Sequence, residues 1–250
     1  MTYCRILRVI LILESACFIS CAHHPTTDDK LCIESMKSPS GVNSSEPNLH
    51  VGNDDTVYLS WVETSEDHNT SLYYSTISHD VWSQKKKISQ GDSWFVNWAD
   101  FPSMSTFGQE SIASHFLVQC GEDTYAYDVK VSISNDKGRS WSNPISPHTD
   151  STLTEHGFVS MVPYKDEVLA VWLDGRNYAL IQESDTVPSN EMTLRSAVID
   201  KNGKVSEELL IDNRVCSCCQ TDAALVSTGP ILVYRDRTEK EIRDISVVRL

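Results

Sequence analysis

The chain has 250 residues, 40% of them hydrophobic, and a formal net charge of −14 from 21 basic and 35 acidic side chains. The first twenty residues contribute Arg5, Arg8 and Glu14, so the remainder carries −15. That acidity argues against nucleic acid as a partner and against anionic lipid surfaces. The apolar content suffices for a packed core, and the long helical periods of an α/β protein are missing.

At the N-terminus, Arg5 and Arg8 precede the apolar run Val9-Ile10-Leu11-Ile12-Leu13 and small residues that lead into Phe18-Ile19-Ser20-Cys21. This is the pattern of an export signal, and no run approaches the ~20 apolar residues that span a bilayer. Phe18-Ile19-Ser20-Cys21 resembles a bacterial lipoprotein processing box. It makes residues 1–20 a lipoprotein-type signal peptide and Cys21 the lipidated first residue of the mature protein; an ordinary cleaved signal with an incidental cysteine is the other reading. Residues 21–45 follow as a tether that holds a candidate closing strand, Leu31-Cys32-Ile33-Glu34-Ser35-Met36. Export places the protein in the periplasm or at the cell surface, an oxidising setting. Its only membrane contact is then the lipid anchor.

From residue 46 onward, apolar runs that contain an aromatic marker recur at Trp61, Phe116, Trp172 and Tyr234, in steps of 55, 56 and 62 residues. A shorter apolar segment precedes each, at Leu49, Met104, Met161 and Leu225, across turn residues such as Gly52-Asn53-Asp54-Asp55. An alternating segment follows each, at 72–77, 129–134, 194–198 and 242–248. Three or four antiparallel strands recurring every ~40 to 60 residues make a β-propeller blade. The sequence therefore predicts an all-β chain of about four blades, the last of them incomplete.

The second repeat ends in Ser134-Asn135-Asp136-Lys137-Gly138-Arg139-Ser140-Trp141. An Asp here can accept hydrogen bonds from amides of its own turn, Gly138 supplies a positive φ, and Trp141 packs the turn onto the next strand. The role of Ser134, Asp136, Gly138 and Trp141 is thus structural. The S-x-D-x-G-x-x-W pattern resembles the Asp-box, or BNR repeat, of the sialidase superfamily. Asp80-Val81-Trp82 and Asp200-Lys201-Asn202-Gly203 stand at equivalent places as degenerate versions. The resemblance implies a six-bladed propeller, which at this step size needs roughly a hundred more residues than the chain has. The chain is expected to be a partial reading of a longer protein.

Strand direction predicts where a site can form. Residues just before first strands and just after second strands gather on one face, opposite the Asp136 turn. That face collects Glu46, Asp100, Glu155 with His156, Gln220 with Asp222, Glu63, Asp174 with Arg176, Arg235 with Arg237, and Arg243. Carboxylates, arginines and aromatics together suit glycoside hydrolysis. Asp100, in Asn97-Trp98-Ala99-Asp100-Phe101-Pro102, is the acid candidate because aromatic surroundings raise a carboxyl pKa; Glu155 is the base. In the family resembled, three arginines clamp the substrate carboxylate, a tyrosine activated by a glutamate is the nucleophile, and an aspartate is the acid. The resemblance leaves Tyr125, Tyr127 and Tyr178 open as nucleophile, and Arg176, Arg235, Arg237 and Arg243, with Asp174, as substrate-binding residues. Glu46-Pro47-Asn48 stands where the family has Arg-Ile-Pro.

Cys216-Ser217-Cys218-Cys219 precedes the fourth repeat on the same face, and parity puts Cys120 there too. A disulfide from Cys120 to one of the three, a thiolate metal site at Cys216, Cys218 and Cys219, and free or vicinally bridged thiols are the alternatives, with the disulfide ahead. No cofactor is otherwise expected. With the Asp100, Glu155 and Tyr234 motifs, the cluster resembles a sialidase-like branch of exported bacterial proteins. The function implied is a sialidase-like hydrolase acting on glycans outside the cytoplasm. A surface-anchored, non-catalytic propeller that binds glycan or protein is the alternative.

Overall fold

The computed structural model describes residues 33–182 and 191–250. The expected signal peptide, the lipidation site Cys21 and residues 21–32 of the tether lie outside the described residues. Ile33 to Met36, the described part of the candidate closing strand, form no strand.

Lys37–Leu250 forms one compact unit in which four antiparallel sheets follow the four repeats. The first contains β1 (Ser44–Val51), β2 (Val57–Thr64), β3 (Thr70–Ser78), β4 (Val81–Trp82) and β5 (Lys86–Gly91). The second contains β6 (Ser103–Phe107), β7 (Ser111–Gln119) and β8 (Tyr127–Ser134), with Ile145 bridging Val131 at its outer edge. The third contains β9 (His156–Tyr164), β10 (Glu167–Asp174), β11 (Thr193–Ile199) and β12 (Leu209–Asp212). The fourth has three strands, β13 (Asp222–Val226), β14 (Gly229–Arg235) and β15 (Ile245–Arg249). Leu49, Met104, Met161 and Leu225 fall in β1, β6, β9 and β13, and these first strands pack on one another in order, as the inner strands of a propeller do.

Burial follows from this stacking. β7 and β10 are buried along nearly their whole length because each central sheet is sandwiched between two others. β14 instead alternates buried and part-exposed residues, since the fourth sheet has a neighbour on one side among the described residues. The cores accordingly lie between blades: Tyr74, Met104 and Phe116 between the first two, Val131, Val159 and Trp172 between the middle two, and Phe158, Leu173 and Leu232 between the last two.

The Ser134–Trp141 turn closes as its residues predict. Asp136 Oδ1 accepts from the amides of Arg139 and Ser140 at 3.0 and 2.9 Å and from Ser134 Oγ at 2.8 Å, while Ser140 Oγ donates to Oδ2 at 2.6 Å. Those bonds hold the Asp136 carboxyl below the usual range. Gly138 has φ +74°, and a Cβ there would meet the Tyr74 hydroxyl at 2.0 Å. Trp141 packs edge-on against Tyr74 of the first blade.

Candidate functional site

The two ends of the propeller separate as strand parity requires. Residues of the turns at Gly108–Ser111, Asn135, Asp166 and Asp200–Asn202 line one depression. Asn97, Trp98, Asp100, Tyr125, Tyr127, Glu155, Phe158, Ser217 and Cys218 line another, a cleft of about 580 Å³.

Three groups converge at the cleft floor. Asp100 sits just before β6, Tyr127 opens β8 and Glu155 immediately precedes β9; Tyr127 and Glu155 form an isolated parallel bridge. The Tyr127 hydroxyl oxygen lies 2.8 Å from Glu155 Oε1 and 3.2 Å from Asp100 Oδ2. One hydroxyl proton serves one acceptor, so with Glu155 as the closer partner the Asp100 contact is satisfied when Asp100 carries a proton and donates it to the tyrosine oxygen. Electrostatics agree with this assignment. Asp100 is 1% exposed, and burial, with the charges of Glu155 and Glu46 in the same direction, pushes its pKa up to about 7 against the bond from the Phe158 amide. Burial also raises Glu155, and raises Tyr127 far enough that the phenol stays neutral.

Local backbone explains how Asp100 fits. Its Oδ1 accepts from the Phe158 amide at 2.8 Å, at a register shift of β9 against β10 where Phe158 has φ +51°. Gly157 makes room: a Cβ there would stand 2.0 Å from Asp100 Oδ2 and 2.8 Å from the Tyr127 ring. The bulge and the glycine together aim a backbone donor at the carboxyl.

The arginines expected to bind substrate are engaged elsewhere. Arg176 grips Asp174 through Nε at 2.7 Å and Nη2 at 2.6 Å, and Nη2 also reaches Glu208 at 2.7 Å and Asp150 at 3.3 Å. Asp174 is fully buried, also accepts from the Trp172 indole at 2.8 Å, and belongs to the interior. Trp61 donates to Glu63 in the same i, i+2 manner, and Lys85 there takes the place of Arg176, so this arrangement is repeated between blades. His156 joins the network. Its Nε2 lies 2.8 Å from Asp150 and its Nδ1 3.1 Å from the Thr154 carbonyl, while its ring stacks on His148 at 4.2 Å. Burial lowers the His156 pKa, but the bond to Asp150 and the charges of Asp174, Asp150 and Asp128 outweigh it and raise it. Arg237 pairs with Glu191 and Glu241 at 2.7 and 2.8 Å. Arg243 and Arg235 face sulfur: Nη1 of Arg243 is 3.7 Å from Cys216 Sγ, and Nη1 of Arg235 is 3.5 Å from Cys219 Sγ. Among the described residues lining the cleft there is no Arg or Lys.

Of the tyrosine candidates, Tyr125 is 60% exposed on the cleft wall, and Tyr178 packs against the core between the third and fourth blades. Cys120, Cys216, Cys218 and Cys219 are free thiols in this structure, so the expected disulfide from Cys120 is not formed, and the other three sulfurs gather on one loop.

Four antiparallel blades around packed inner strands, with the cleft where first strands open, define a β-propeller. Among solved structures, the fold is similar to an α-L-arabinanase of Penicillium chrysogenum determined with arabinobiose, at TM-score 0.53 and 14% identity, over 81% of this chain and 61% of that one. It is also similar to a protein of unknown function from Dyadobacter fermentans, at TM-score 0.51 and 9% identity, over 81% of this chain and 52% of that one. At such identities the likeness is one of fold, and this chain spans about three-fifths of the arabinanase and half of the Dyadobacter protein. No family model and no curated protein matches the sequence.

Proposed function

We propose that the cleft is the catalytic site of a glycoside hydrolase, with Asp100 as proton donor to the leaving oxygen and Glu155, hydrogen-bonded by Tyr127, as the carboxylate facing the anomeric carbon. The observation that carries this is the Asp100–Tyr127–Glu155 chain itself. It pairs a carboxyl kept protonated to about pH 7 with a second, half-buried carboxyl. Sharing one hydroxyl, Asp100 Oδ2 and Glu155 Oε1 lie no more than about 6 Å apart, close enough for both carboxyls to reach one glycosidic bond. Trp98, 84% exposed at the cleft, offers a stacking surface for a sugar ring.

Sialidase-type specificity is the finer form of this reading. It is supported by the tyrosine, glutamate and aspartate being together, as the resemblance implies. An uncharged sugar is favoured by the lining, which offers two carboxyls and no cation among the described residues. The neutral phenol is the hydrogen-bond partner of Glu155, which in the sialidase form of the reading takes its proton. The test is hydrolysis by the chain of a panel of aryl glycosides, neutral pentosides and hexosides beside a sialoside. Cleavage of a panel member that falls at least about 100-fold in D100N and E155Q, with unchanged circular dichroism, supports the reading. Cleavage unaffected by both substitutions, or no cleavage of any panel member, rejects it.

A further inference from the structure

The loop between β12 and β13 brings three sulfurs to one point. Cys216 Sγ is the hub, 3.7 Å from Cys218 Sγ and 3.3 Å from Cys219 Sγ, and all three lie within 4.8 Å of one another. The loop is held at both ends. Val215 donates its amide to the Met192 carbonyl at 2.9 Å and Cys216 to the Arg235 carbonyl at 3.0 Å, and Thr221 Oγ1 donates to the Phe158 carbonyl at 2.8 Å. A disulfide needs about 2.05 Å between two sulfurs and leaves a third without a role. Three sulfurs around one centre, bonded to it at ~2.3 Å, are instead spaced about 3.8 Å apart, close to the Cys216–Cys218 distance.

We propose that Cys216, Cys218 and Cys219 form a trithiolate site for a thiophilic d10 cation, Cu(I) or Zn(II). Thiolates select such soft or borderline ions over Mg²⁺ and Ca²⁺. Charge is the second argument. Three thiolates with either ion leave a net negative complex, and the guanidinium groups of Arg235 and Arg243, 3.5 and 3.7 Å from two of the sulfurs, offset it. Arg235 has no carboxylate partner among the described residues and is turned toward sulfur, while Arg243 divides its guanidinium between Cys216 and Glu241, the latter at 3.3 Å. Cys216 is buried, whereas Cys218 is exposed and lines the cleft that holds Asp100 and Glu155. A bound ion therefore has protein on one side and the cleft on the other, the arrangement of a site with an open position.

The test is independent of glycosidase activity. The full chain, reduced and kept anaerobic, is titrated with Cu(I) against bicinchoninate and separately with Zn(II) against a chromophoric chelator, and the tighter arm names the ion. X-ray absorption counts the sulfur neighbours. The proposal expects one ion per chain with three sulfurs, and two sulfurs with at least about 100-fold weaker binding in C218S and C219S. C120S is unchanged, and R243Q is weakened roughly 10–100-fold as an outer partner of the ligands. C218S alters an exposed side chain, so its melting temperature and circular dichroism separate ligand loss from misfolding. Retention of no ion by the reduced wild-type chain, equal loss in C120S and C218S, or an absorption spectrum without three sulfurs overturns it.

Discussion

Replacing Asp100 with asparagine isolates the charge of one buried carboxyl. Burial is the main cause that lifts its pKa from 3.8 to about 7. Below about pH 4 the group is neutral in folded and unfolded chains alike and adds no pH dependence. Between about pH 4 and 7 the unfolded chain releases this proton and the folded chain keeps it, so stability falls as pH rises, and above about pH 7 the loss is complete. About three pH units at ~1.36 kcal/mol each set a ceiling of about 4 kcal/mol. Asparagine matches the protonated carboxyl: its carbonyl can accept from the Phe158 amide, and its amide can donate to the Tyr127 oxygen, which already donates to Glu155. D100N is therefore expected to change stability little at about pH 4 and to gain up to about 4 kcal/mol at about pH 8. Urea unfolding of both proteins at those pH values, with equal m-values, measures the difference. A gain that does not grow with pH, or a loss that grows with it, refutes the assignment of a protonated Asp100.

Other substitutions separate site from scaffold. Gly157→Ala drives a methyl into Asp100 and Tyr127 and should cost about 1–3 kcal/mol in urea unfolding. Arg176→Ala leaves the fully buried Asp174 without its bidentate partner and should cost about 3–5 kcal/mol, while Lys86→Ala on the exposed lysine run leaves the unfolding midpoint unchanged. Asp136→Ala removes the bonds that close its turn and should lower the melting temperature without altering ligand binding in the cleft, which lies at the other end of the blades.

Much of this architecture was legible because blades repeat. The 55, 56 and 62 residue steps located every first, second and third strand, and strand direction placed Asp100 and Glu155 on one face before any contact was known. The arginines show the limit of parity. It assigns a residue to an end of a blade and says nothing of its partner, and with 35 acidic against 21 basic side chains an arginine on that face readily meets a carboxylate. A signal was present for Asp174: Trp172-Leu173-Asp174 repeats Trp61-Val62-Glu63, and a repeated acid points to the blade and not to a single site. The partnership of Tyr127 with Glu155 had no such signal, since it depends on a bridge between β8 and the residue before β9. Gly157 was visible, but its purpose needed the Asp100 carboxyl beside it. The cysteine spacing fitted no familiar zinc pattern, and only the turn of the loop brings neighbouring sulfurs to one point.

The most direct test of the catalytic reading uses two leaving groups. For a glycoside with a poor leaving group, kcat/KM of the wild type should fall through about pH 7 as Asp100 loses its proton. D100N should lose that activity yet still cleave the corresponding dinitrophenyl glycoside, whose departure needs no acid, with the limb near pH 7 gone. A limb that persists in D100N, or equal losses on both substrates, would contradict Asp100 as the proton donor and with it the proposed site.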